Sequence, residues 1–274
     1  MLVREEYAHQ LKNFKPHTYL TLKKSFQHLG LKKGMVVIVH SSLSSIGWTC
    51  GGPVAVVMAL MDTITSSGAI IMPTPTPEYS DPSTWKNGWL PREWWEIFRA
   101  ELPAFDPLTT PSRQAGIIPE TFRGFPNVKR TPHPTYSFAV WGRKAKELCS
   151  GLSLDNPCGR GSVLEKTYNL HGHVLLIGVE NAVNLSLYLA FDRFKKMAKI
   201  KDGAPVLVNG ERAWKTFYRH ETQSSELMNQ IVADFAKEFS VQRLTLGFSS
   251  MSIMNQRELV DYAVQWLDEK WPVV

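Results

Sequence analysis

The sequence predicts an α/β fold with a mixed, largely central β-sheet flanked by helices. Three observations predict it. Short continuous apolar runs at 35–39 (MVVIV), 69–72 (AIIM) and 174–178 (VLLIG) have the length and composition of strands buried on both faces. Longer segments with apolar residues at helical spacing lie between and after them. Glycine and proline punctuate the joints.

Taken in order, residues 18–29 form an amphipathic helix with Leu22, Phe26 and Leu29 on one face and Gly30 as its C-cap. The strand at 35–39 leads through a Ser/Gly segment to Gly51-Gly52-Pro53. Pro53 suits the first turn of a helix that runs to about Thr65. With the strand at 69–72 this makes a βαβ unit. Residues 73–91 are rich in proline. Trp85, Trp89, Trp94 and Trp95 in and beside this long insertion predict an ordered loop with large buried contacts. Helices are expected at 92–101 and 115–123, a strand at 136–140, and a helix at 181–196 after the strand at 174–178. Residues 206–209 and 212–219 pair across Gly210 as a C-terminal β-hairpin. Helices at 224–238 and 251–268 flank a strand at 241–246. No internal repeat is evident.

The chain has 274 residues, 43% of them hydrophobic, which suits one large domain or two small ones. No apolar stretch is long enough to span a bilayer, and the N-terminal MLVREEYAHQ has no apolar signal core. The three cysteines include no CxxC pair. A cytoplasmic protein with reduced thiols, no membrane partner and no metal is expected. The net charge of +6 is scattered, and its densest cluster, 193–201 (RFKKMAKIK), lacks interleaved stacking aromatics. This favours a basic soluble enzyme over a nucleic-acid binder.

The segment His40-Ser41-Ser42-Leu43-Ser44-Ser45-Ile46-Gly47 follows a strand and precedes a helix, where backbone N–H groups and hydroxyls can hold a phosphate or an amide-rich ligand. It has neither the Gly-Lys-Ser/Thr of a Walker loop nor GxGxxG. A plain Ser-rich turn is the alternative. His171-Gly-His173 has no further ligand cluster in the sequence. The segment 247–251 (GFSSM) lacks the second glycine of a nucleophile elbow.

Taken with GGPVAVVMALMD and GAIIMPT, HSSLSSIG resembles the opening of the aminoglycoside 3-N-acetyltransferase family. WWEIFRAELPAFDP, TPSRQAGIIPETFR, KRTPHPTYSFAVWG, DNPCGRGSVLEK, HGHVLLIGVENAVNLSLYLA and VLVNGERAWKTF continue the resemblance in order. It implies a single antibiotic N-acetyltransferase-like domain over 1–274. The implied reaction is acetyl transfer from acetyl-coenzyme A to a small-molecule amine, the 3-amino group of a 2-deoxystreptamine aminoglycoside. The competing reading is a coenzyme A-binding relative with little or no such activity, and a homo-oligomer is compatible with either. The resemblance places coenzyme A on His40, Ser41, Ser42, Leu43, Ser44 and Gly47, with Ser112 and Ser162 along the same ligand. It makes His133 the base that takes a proton from the attacking ammonium, worth roughly 10²- to 10⁴-fold, with Glu120 as its orienting carboxylate. The chain departs from the family where a block histidine is Tyr188, a glutamate is Phe191 and an aspartate is Ala182. A polycationic acceptor wants carboxylates, so these changes imply a less acidic acceptor pocket, with Glu180 and Asp192 close by.

Overall fold

The strand Val36–Ser41 (β1) is apolar at successive positions because both of its faces are covered. In the computed structural model, which describes residues 15–85, 88 and 90–271, Val37 and Val39 point to one side of a sheet and Ile38 to the other. Among the described residues the sheet has seven strands, in the order Lys129–Arg130 (β3), Phe138–Gly142 (β4), Ala69–Pro73 (β2), β1, His173–Ile177 (β5), Ser249–Asn255 (β9) and Gln242–Leu246 (β8). Strands β2 and β5 run parallel to β1 on either side of it. Strand β4 pairs antiparallel with β2, and β3 with β4. On the other side, β9 pairs antiparallel with β5, and β8 with β9.

Helices cover both faces. Tyr19–His28, Gly52–Ile64 and Ile117–Arg123 carry buried residues in the cluster that includes Val37, Val39, Ile70 and Leu175. Val163–Asn169, Ser186–Phe194, Ser225–Glu238 and Gln256–Lys270 pack against Ile38, Ile71, Val174 and Met254. Thr18 caps the first helix through a reciprocal capping box with Thr21. Pro53 sits in the first turn of Gly52–Ile64.

The structure revises several expected bounds. The segment 251–255 is strand, not helix. The edge of β5 needs a partner for its N–H and C=O groups, and Met251 and Ile253 alternate inward to meet that demand. Asn255 then caps the last helix by accepting from the N–H groups of Arg257 and Glu258. Gly247 and Phe248 form the two-residue turn between β8 and β9. The hairpin is longer than expected, pairing Lys199–Val208 (β6) with Glu211–His220 (β7) as a separate sheet. Its turn residues Asn209 and Gly210 both have positive φ, the signature of a tight hairpin turn. The helix expected at 181–196 is a 3₁₀ turn, Asn181–Val183, followed by Ser186–Phe194. The basic cluster therefore divides between the end of that helix and β6.

The insertion folds into 3₁₀ turns at Pro77–Tyr79 and Pro82–Thr84 and docks on the hairpin. Asp81 N–H donates to Asp202 Oδ1 at 2.9 Å, and Arg212 Nε donates to the Leu102 carbonyl at 2.7 Å. Trp85 meets Phe98 edge-on, and Phe98 meets Trp214. Trp94, by contrast, is 55% exposed. Trp89 and the segment MLVREEYAHQ lie outside the described residues.

Candidate functional site

The carboxyl ends of β1, β2 and β5 lie side by side, with β1 between its two parallel partners. In an open α/β sheet, a crevice at such a point is where ligands bind. Here it is a cavity of about 240 Å³ lined by Val39, His40, Ser41, Pro73, Pro75, Gln114, Ala115, Pro119, Val179, Val183 and Leu185. The lining is mostly apolar with few polar groups, the usual make-up of a small-molecule site. His40 is 6% and Ser41 7% exposed, and neither His40 Nε2 nor Ser41 Oγ has a hydrogen-bond partner among the described residues. Buried polar atoms are normally satisfied. Two neighbouring ones left open at a cavity are what a polar ligand would complete. Burial lowers the pKa of His40 to about 4, so its ring is neutral near pH 7.

The rest of HSSLSSIG is not an open loop. Ser42 N–H continues the β1–β5 ladder to the Ile177 carbonyl at 2.9 Å. Leu43–Ile46 is a single helical turn, and the hydroxyls of Ser42, Ser44 and Ser45 bond one another. Gly47 ends the turn at φ 93°, ψ −172°, a region essentially limited to glycine. The end of β5 packs tightly on this turn. A Cβ at Gly178 would lie 2.9 Å from Ser45 Cβ.

The remaining expected residues fall in two other places. Ser112 lies in the loop before Ile117–Arg123, and both its N–H and its hydroxyl donate to Glu120 Oε2. Arg123 also binds Glu120, through Nε at 2.8 Å and Nη2 at 2.5 Å. Burial works to raise the Glu120 pKa, but the bonds from Arg123 and Ser112 outweigh it and hold the carboxyl at about 2. Gln114, Ala115 and Pro119 of this loop and helix wall the large cavity.

His133 and Ser162 share a small cavity of about 20 Å³. His133 is 5% exposed. Its Nδ1 accepts from the N–H groups of Thr135 and Tyr136 at 3.2 and 3.0 Å, which leaves the proton on Nε2, donated to the Leu154 carbonyl at 3.0 Å. Burial pulls its pKa down to about 4, the Leu154 carbonyl opposes the shift, and the Arg219 charge adds to it. Both ring nitrogens are thus held by the backbone, and Glu120 is bonded to Ser112 and Arg123 instead of to His133. The expected His133–Glu120 pair is not formed. Ser162 caps Val163–Asn169 by accepting from Glu165 N–H.

Phe191 is fully buried and faces the core, not a pocket. Tyr188 is 6% exposed, packs edge-on against Phe191, and lines a third cavity of about 10 Å³ with Tyr136, Asn156, Pro157, Cys158, Arg219 and His220. Asp192 accepts from His220 Nε2 at 3.1 Å and from Lys199 Nζ at 2.9 Å. The sequence reading missed His220. Twenty-eight residues separate it from Asp192, and no local pattern links them.

Known proteins resemble this chain in sequence and in fold. Residues 38–268 match the family described as aminoglycoside 3-N-acetyltransferase. The chain is 39% identical over 252 residues to the SPbeta prophage-derived aminoglycoside N(3')-acetyltransferase-like protein YokD of Bacillus subtilis (strain 168), covering 92% of each. The YokD crystal structure superposes with a TM-score of 0.90 at 37% identity, covering 94% of this chain and 97% of that one. Aminoglycoside acetyltransferase AAC(3)-Xa superposes with a TM-score of 0.88 at 27% identity, covering 97% and 98%. AAC-IIIb, solved as a binary complex with CoASH, shares the fold with a TM-score of 0.84 at 23% identity, covering 95% and 100%. Among the described residues no helix is long and apolar enough to cross a membrane. An ordered series of sequence blocks, a switch-point cavity with open polar atoms and the match over residues 38–268 converge, and the chain belongs to the aminoglycoside 3-N-acetyltransferase family, a family of acyltransferases.

Proposed function

We propose that this protein transfers the acetyl group of acetyl-coenzyme A to an amine of a small-molecule acceptor, by kinship the 3-amino group of a 2-deoxystreptamine aminoglycoside. The observation that carries the reading is the cavity of about 240 Å³ at the ends of β1, β2 and β5, lined by His40 and Ser41, whose Nε2 and Oγ have no partner among the described residues. Its size suits the pantetheine arm of coenzyme A, with the nucleotide end lying outside it. Amide groups of that arm supply the partners that His40 and Ser41 lack. Ser42, Leu43, Ser44 and Gly47 set the shape of the cavity's neighbouring turn. Glu120 fixes Ser112, and with it the loop that carries Gln114 and Ala115 to the wall. His133 enters as the group that ties residues 133–136 to Leu154, since both of its nitrogens are engaged. Ser162 enters as a helix cap in the same wall.

The test is a thiol-release assay with acetyl-coenzyme A against a panel of aminoglycosides and simple amines, beside calorimetry with coenzyme A alone. Coenzyme A binding with amine-dependent thiol release is expected. Absence of coenzyme A binding at millimolar ligand overturns the site. Binding without transfer to any amine favours a coenzyme A-binding protein instead.

A further inference from the structure

We infer that His220, oriented by Asp192, is the group that takes the proton from the attacking amine. The inference rests on the proposed acetyl transfer and names a residue for it. Asp192 is built into a cage. Its Oδ1 accepts from His220 Nε2 and Lys199 Nζ, and its Oδ2 accepts from Arg160 N–H at 2.9 Å. A Cβ at Gly159 would lie 2.5 Å from Asp192 Oδ2, so the loop wraps the carboxylate as only glycine allows. Burial works to raise the Asp192 pKa, but the bonds from His220, Lys199 and Arg160 N–H outweigh it and keep the carboxyl well below the usual range. A fixed anion on one imidazole nitrogen orients the ring and stabilises the imidazolium, the role of a triad carboxylate.

The other nitrogen, His220 Nδ1, is buried, has no partner among the described residues and belongs to the ring that lines the cavity of about 10 Å³. Asn156 Oδ1, on the same cavity, likewise has no partner among the described residues. That space suits one water-sized group, an ammonium head or a relaying water. The other ionisable groups there cannot exchange a proton near neutrality. Burial raises the phenols of Tyr136 and Tyr188 and pushes the Cys158 thiol up to about 12, and Arg219 stays charged beside Asp202. His133 has both nitrogens bonded to the backbone, and His40 has no carboxylate partner among the described residues. Leu185 and Tyr188 stand three residues apart at the start of one helix, so the same helical face walls both the large cavity and this one.

In the step, the ammonium gives one proton to His220 Nδ1, directly or through a water, and the freed nitrogen lone pair forms the N–C bond to the thioester carbon. The C–S bond breaks with its electron pair going to sulfur. The second amine proton passes to the thiolate, giving free coenzyme A thiol, and His220 releases its proton to solvent.

The test measures kcat and KM for acetyl-coenzyme A across pH in the full chain. The charged and titratable groups around His220 are Asp192, Lys199, Arg219, Tyr136, Tyr188 and Cys158. His220→Gln keeps a donor toward Asp192 but no titrating ring. It is expected to lower kcat about 10²-fold, with KM for acetyl-coenzyme A within about twofold, and to erase the acid limb of the kcat profile. His220→Asn is the second variant should the first not fold. Asp192→Asn is expected to move that limb to lower pH, which a purely structural aspartate would not do. Wild-type kcat in either His220 variant, or an unmoved limb in Asp192→Asn, overturns the assignment. A wild-type protein that binds coenzyme A yet acetylates no amine overturns the functional reading, and this assignment with it.

Discussion

Glu120 Oε2 accepts both the main-chain N–H and the hydroxyl of Ser112, at 2.8 and 2.7 Å. One carboxylate oxygen thus sets the loop that leads to Gln114 and Ala115 on the cavity wall. Its other oxygen belongs to Arg123, which reaches on to the Leu108 carbonyl at 2.6 Å.

Glu120→Gln weakens this clasp. The Glu120 carboxyl is held at about 2 in the folded chain, below its ordinary 4.5. The unfolded state therefore binds the proton first as pH falls. The stabilisation is present above pH 4.5 and is lost as pH falls toward 2. The variant should melt several degrees below wild type at pH 7, at about 2–4 °C per kcal/mol, with the gap closing as the pH drops through that window. Thermal melts at both ends of it check this. An equal gap throughout means that the charge plays no part.

His40 and His133 make stability fall at mildly acidic pH. Burial lowers both from the ordinary 6.5 to about 4. The unfolded chain takes up protons below pH 6.5 that the folded chain refuses until about 4. Their contribution is complete above pH 6.5 and is lost as pH falls toward 4. The loss is on the order of 3 kcal/mol per histidine. Denaturant titrations across that range should show the decline, and His133→Gln should flatten part of it. A flat wild-type curve would contradict both burial assignments.

Ser41→Ala separates binding from stability. The Ser41 hydroxyl has no partner among the described residues, so removing it should leave Tm unchanged or slightly raised. If a ligand amide completes that hydroxyl, coenzyme A affinity should fall by about tenfold, the worth of roughly 1.4 kcal/mol. Calorimetry alongside a melt reads both. Unchanged affinity would remove Ser41 from the site.

Phe191→Glu should cost the fold rather than extend acceptor range. Phe191 is fully buried among apolar side chains, and a carboxylate there would lose its hydration without a partner. A loss of soluble folded protein, or a melt lowered by several kcal/mol, is expected. A folded variant with better use of a polycationic aminoglycoside would place the side chain at the acceptor after all.

Local chemistry made the architecture legible. Runs such as VVIV in β1 and VLLI in β5 have the length and composition of strands buried on both faces, and they form such strands. Glycine and proline marked where the helix Gly52–Ile64 begins, and the ordered blocks from HSSLSSIG onward marked the family. Other features depend on elements distant in the chain. Residues 251–254 became strand because β5 offered an unpaired edge. Phe191 turned inward because its helix packs that face on the core. Glu120 found Ser112 and Arg123 instead of His133, and Asp192 found His220 from the far end of the hairpin. Hydrophobic periodicity is a property of neighbours along the chain and survives in the bare sequence. The partner of a carboxylate or an imidazole is decided by register and packing between elements, and only the folded chain contains that information.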